Sequence, residues 1–107
     1  MKFVIDSPET LGTVIRASRK AMDMRQDDAA GSIGVSENFL GKVERGGETV
    51  QWGKLFQVMQ ELGLTVTVEV PDAYATKTRQ HFETLQEKSA RTQAVHAATQ
   101  ASQAGDK

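Results

Sequence analysis

Cysteine is absent from the 107-residue chain, so neither a disulfide framework nor a thiolate metal site is possible. No apolar run approaches the roughly 20 residues a membrane helix needs. The short Phe3-Val4-Ile5 run is followed by charge, which is not a signal-peptide pattern. A cytosolic protein is expected, nucleoid-associated if it binds DNA. His81 and His96 lie far apart with no paired carboxylates beside them, so no metal site is expected. A glycine-rich phosphate loop and a nucleophile–base constellation are also missing, which argues against an enzyme and against a cofactor. Basic excess is missing as well: the formal net charge is −1. There are eight Lys/Arg to nine Asp/Glu up to residue 64, and five to five beyond. Non-specific nucleic-acid binding rests on such an excess. Any DNA-binding surface here must therefore sort its positive groups onto one face, and two copies are expected to act together.

What is present is a helix-turn-helix pattern over residues 26–44. A short helix ends at Ile33, and Gly34 supplies the left-handed backbone of a sharp turn. Ser36 can cap a second helix, accepting one of its orphan N–H groups, and that helix closes before Gly46-Gly47. Ala30 is small enough for the two helices to approach closely. Ile33, Val35, Leu40 and Val43 fall on the inner side of the crossing.

On either side, the pattern continues in helical period. Ser7-Pro8-Glu9 is a helix start: a capping serine, a proline at the first helical position, and an acid against the positive helix end. Leu11, Val14, Ile15, Ser18 and Met22 then give one apolar face. After the loop around Gly46-Gly47, Trp52, Leu55, Phe56, Met59 and Leu62 repeat at helical spacing, with Gly63 as the stop, and Trp52 and Phe56 read as core residues. Thr65–Val70 switches to a period of two, with Val66, Val68 and Val70 on one side and Pro71 as terminator. A lone strand leaves its backbone unpaired. Its candidate partners are Lys2–Ile5 of the same chain and the equivalent strand of a second copy. Residues 72–107 are rich in Ala, Gln, Thr, Lys and Glu, with Tyr74, Phe82, Leu85 and Val95 as the few large apolar groups. This tail reads as helical or disordered. The expected division is a DNA-binding and dimerisation domain over 1–71 and a polar, partly helical tail over 72–107.

Chemistry assigns roles within the motif. Residues near the start of the second helix reach base edges in a major groove; here they are Ser36, Glu37, Asn38 and, one turn on, Lys42. Asn38 suits adenine, Lys42 the N7/O6 edge of guanine, and Glu37 the amino group of cytosine. Gln26, with the backbone N–H groups at its helix start, is placed to bond a phosphate. Arg25 and Arg45 are further phosphate candidates. Arg16, Arg19 and Lys20 could extend the positive face.

Residues 7–64 resemble the lambda-repressor-like (Cro/XRE) helix-turn-helix family. The resemblance is carried by Gln26-Asp27-Asp28-Ala29-Ala30, Ile33-Gly34-Val35-Ser36 and Val43-Glu44-Arg45-Gly46. It departs from the family at Arg25, where Ser or Thr usually caps the helix, at Ala29, where Leu is usual, and at Phe39. Residues 50–71, Trp52 to Leu64 followed by Thr65 to Pro71, are further similar to the HipB-type antitoxins. This resemblance implies a mainly α bundle of four to five helices with a short β-ribbon at a dimer interface, in which Val66, Val68 and Val70 serve dimerisation. It also implies a dimeric repressor of an inverted-repeat operator, acting as the antitoxin of a type II operon with a HipA-family kinase toxin. The alternative is a stand-alone XRE-family regulator without a toxin partner.

Overall fold

The computed structural model describes residues 1–105, with side chains described through residue 94; Val95 and His96 lie outside the described side chains. Five α-helices are formed among the described residues: α1 (Pro8–Ala21), α2 (Gln26–Ile33), α3 (Glu37–Glu44), α4 (Trp52–Glu61) and α5 (Ala75–Gly105). The chain divides into two compact units, the first spanning Met1–Val66 and the second starting at Thr67.

In the first unit, helix starts and stops follow local chemistry. The Ser7 hydroxyl accepts the Thr10 N–H at 3.1 Å, with Pro8 next to it in the first turn of α1. Gly34 ends α2 with φ +93°, and Gly63 follows the end of α4 with φ +73°. A side chain closes the end of α2 as well: Gln57 Nε2 on α4 donates to the Ile33 carbonyl at 2.8 Å. That bond satisfies one of the carbonyls a helix end leaves without a partner.

Helix α3 packs against α1 and α2, and α2 packs against α4. The core is Ile15, Ala29, Ala30, Ile33, Leu40, Val43, Leu55, Val58, Met59 and Leu62. Ile15, Leu40 and Val58 are fully buried, each contributing on the order of 1.5–3 kcal/mol of apolar transfer. Ala29 is completely buried within this core.

The buried face of α1 is Gly12, Ile15 and Arg19. This differs from the sequence expectation by the exposure of Met22 and the burial of an arginine. Gly12 shows why. A Cβ there would lie 2.5 Å from the Val43 carbonyl oxygen and 2.7 Å from that of Glu44. The end of α3 therefore abuts α1 backbone to backbone, a contact that only glycine permits.

Two further expectations fail. Trp52 is 72% and Phe56 42% exposed, so they are not core residues; they pack on each other edge to face, with centroids 5.3 Å apart. The helical period is real, but the stripe it draws is wider than the face that α2 covers. The second failure concerns the β-ribbon. Among the described residues neither Lys2–Ile5 nor Thr65–Val70 forms a strand. The alternation in Thr65–Val70 is genuine, yet a strand exists only when its backbone pairs, and within a single chain the two segments do not pair.

In the second unit, a short 3-10 turn at Asp72–Tyr74 leads into α5. Tyr74, Phe82 and Leu85 are all exposed. Surface pairs one turn apart, Arg79 with Glu83 at 4.0 Å and Arg91 with Glu87 at 2.8 Å, support the helix, each by a few tenths of a kcal/mol.

Candidate nucleic-acid interface

The outer face of α3 is built from its first residue. Ser36 is extended (φ −72°, ψ 152°) and its hydroxyl accepts the Phe39 N–H at 3.0 Å. This cap fixes where the helix begins, and hence which side chains face out. Ser36, Glu37, Asn38 and Lys42 are all exposed, while Leu40, Val43 and Glu44 of α3 are buried. The four candidate base contacts are thus on a helix anchored from behind by its own apolar residues. The Lys42 stem runs along the loop: a Cβ at Gly47 would lie 2.6 Å from its Cγ. Phe39 is half-buried, with the Lys54 ammonium 5.8 Å from its ring centroid.

The phosphate candidates divide. Arg45 follows α3, exposed, with its guanidinium lying back over Gly41. Gln26 opens α2, half-buried, and its side chain is engaged: Nε2 donates to Glu44 Oε1 at 3.2 Å. Arg25 is exposed but turned onto its own helix start, with Nε 3.0 Å from Asp28 and 3.7 Å from Asp27. The hydrogen bond it donates to Asp28 and the charges of Asp27 and Asp28 hold its pKa above the ordinary arginine value. It reaches a phosphate only by exchanging that pair.

Arg19 is the main revision. Sequence reading counted it towards a positive surface, but it is buried against Glu44 in a two-bond pair, Nε to Oε2 at 2.7 Å and Nη2 to Oε1 at 2.8 Å. Its Nη1 donates to the Met24 carbonyl at 2.8 Å. Its hydrogen bond to Glu44 raises its pKa against the effect of burial. Burial pushes the Glu44 carboxyl up, but bonds from Arg19 and Gln26 and the charges of Arg19 and Arg16 outweigh it and hold the group below its ordinary value. The available signal was the spacing Gly12, Ile15, Arg19, which puts the arginine on the stripe facing α3. Of the basic candidates around the motif, Arg16, Lys20, Lys42 and Arg45 remain exposed and outside any ion pair described for them. The three valines, Val66, Val68 and Val70, are each exposed.

A capped, outward-facing second helix crossing behind a short first helix defines a helix-turn-helix domain. No family model matches the chain. It is 39% identical over 67 residues to a protein described as the uncharacterized HTH-type transcriptional regulator y4mF of Sinorhizobium fredii, a match covering 63% of this chain and 88% of that relative. The chain belongs to the HTH-type transcriptional regulators. Its fold is HipB-like. A chain of the structure described as the HipA-HipB-O2-O3 complex and one described as a HipB-O4 20mer complex each superpose with a TM-score of 0.60 at 21% identity. Each match covers 66% of this chain and the whole of the compared one.

Proposed function

We propose that the protein is a homodimeric, sequence-specific repressor that binds an inverted-repeat operator, and the antitoxin of a type II operon whose toxin is a HipA-family kinase. The observation that carries the DNA-binding half is the exposed set Glu37, Asn38 and Lys42 on a helix whose start is fixed by the Ser36 cap. Side chains at the start of such a helix read base edges, and each good two-bond pairing discriminates by about 1–3 kcal/mol. Gln26 and Arg45 set the register on the backbone. Support for the toxin partner is narrower and comes from the HipB-like fold, seen in a complex described as containing HipA.

The homodimer is supported by the charge balance, because a chain of net charge −1 has little non-specific affinity to spare and gains from two recognition helices acting together. The candidates for the contact between copies are Val66, Val68 and Val70. An open cleft of about 400 Å³ lined by Phe56, Met59, Leu64 and Val66 is continuous with the first of them. A mobility shift on the DNA upstream of the gene, over a salt series, tests the repressor. Co-purification with the product of an adjacent kinase-like gene tests the antitoxin. The stand-alone regulator is favoured instead by the likeness to y4mF, which is described as a transcriptional regulator alone; a repressor that binds its operator but no neighbouring kinase decides for it.

A further inference from the structure

One buried carboxylate links the core to one of the phosphate candidates, Gln26. Glu44 is 7% exposed and accepts two bonds from Arg19 and a third from Gln26. Three helices therefore meet at one side chain: Arg19 from α1, Gln26 from α2, and Glu44 itself from α3. The bond to Gln26 has a chemical consequence. An ionised carboxylate only accepts, so it selects the amide orientation that turns Nε2 toward it. The second Nε2 hydrogen and Oε1 then remain for other partners. A DNA phosphate also only accepts, so that second hydrogen is the matched donor.

Gly41 completes the arrangement. A Cβ at this position would lie 2.9 Å from Arg45 Nη1, 3.5 Å from Gln26 Oε1 and 3.6 Å from Gln26 Nε2. The missing side chain leaves a notch in α3 where the guanidinium and the amide converge. Arg25 supplies no side-chain cap to the start of α2, where Gln26 is the first helical residue.

We propose that Glu44, locked by Arg19, is a positioning residue that presents the Gln26 amide, together with Arg45 over Gly41, to a single DNA phosphate. This rests on the DNA-binding reading above. Glu44 touches no DNA in this account; it acts through Gln26.

The test is a double-mutant comparison on the duplex immediately upstream of the protein's own gene, read by fluorescence anisotropy. In the wild-type background, Gln26→Ala is expected to weaken binding about tenfold, the scale of one hydrogen bond to a charged group. In an Arg19→Met, Glu44→Leu background, where the buried pair is replaced by apolar groups of similar size, the same substitution is expected to change binding less than about twofold, the pair being coupled. An equal loss in both backgrounds overturns the proposal. If that background fails to fold by circular dichroism, Gly41→Ala serves instead. It removes a glycine from a helix interior, which favours the helix, while its Cβ displaces Arg45. Unchanged or raised thermal stability with about tenfold weaker binding is expected; unchanged binding overturns the proposal. Wild-type protein that binds no duplex at low salt overturns the DNA-binding reading and the positioning role with it.

Discussion

Arg19 on α1 and Glu44 at the end of α3, 25 residues apart in sequence, form a two-bond ion pair at 2.7 and 2.8 Å inside the first unit. Such a pair stabilises little relative to apolar residues of the same volume, but leaving one partner alone is costly. Glu44→Ala is therefore expected to destabilise the protein by about 3–5 kcal/mol, and Arg19→Met with Glu44→Leu by far less. Urea unfolding of the three proteins measures this; similar losses for the single and double variants contradict it.

The same pair sets an acid response. The Glu44 carboxyl is held below its ordinary value when folded, so the folded state favours the charged form. Its stabilisation is fully present above the ordinary carboxylate pKa and is lost as pH falls through the depressed folded value. Thermal melts from pH 7 to pH 3 are expected to fall along that arm. In the Arg19→Met, Glu44→Leu variant this contribution is absent and the fall is shallower. Parallel curves for the two proteins contradict the assignment.

At Gly12, two effects oppose each other. Alanine is better than glycine in a helix by about 1 kcal/mol, but its Cβ would meet backbone oxygens of Val43 and Glu44 at 2.5 and 2.7 Å. Backbone cannot rotate aside as a side chain can, so overpacking dominates, at about 1–3 kcal/mol. Gly12→Ala is expected to lower the unfolding midpoint. A raised midpoint shows that α1 and α3 are less closely packed.

Much of the first unit is legible because its signals are local. Ser7, Gly34, Ser36 and Gly63 each act within a few residues of the helix end they define, and the structure places those ends as the spacing predicts. The spacing from Gly12 and Ile15 puts Arg19 on the buried stripe, but a buried charge needs a partner, and Glu44 lies 25 residues away in sequence. Gly12 and Gly41 were passed over for the same reason: each is read by what approaches it from another element or turn. The exposure of Trp52 is not legible in the sequence, because period reveals a face but not how much of it a neighbour covers. The alternation of Thr65–Val70 shows β-propensity, whereas a strand needs a pairing that propensity does not supply.

The Ser36 cap separates local stability from recognition. Ser36→Ala removes the acceptor of the Phe39 N–H and is expected to cost about 1 kcal/mol. Ser36→Asp retains a capping oxygen but adds negative charge on the face proposed to meet DNA. It is expected to keep stability and weaken operator binding, most at low salt. Thermal melts paired with anisotropy check this; equal affinity for wild type and Ser36→Asp places Ser36 away from the DNA.

The proposed reading of DNA by the exposed face of α3 is open to test at Lys42, which is exposed and outside the core. A mobility shift on the duplex upstream of the gene, over a salt series, compares wild type with Lys42→Ala. Wild type is expected to bind selectively and more weakly as salt rises. Lys42→Ala is expected to lose about tenfold or more in affinity with an unchanged unfolding midpoint. Binding by Lys42→Ala equal to wild type, or no selective binding by wild type at low salt, contradicts the account.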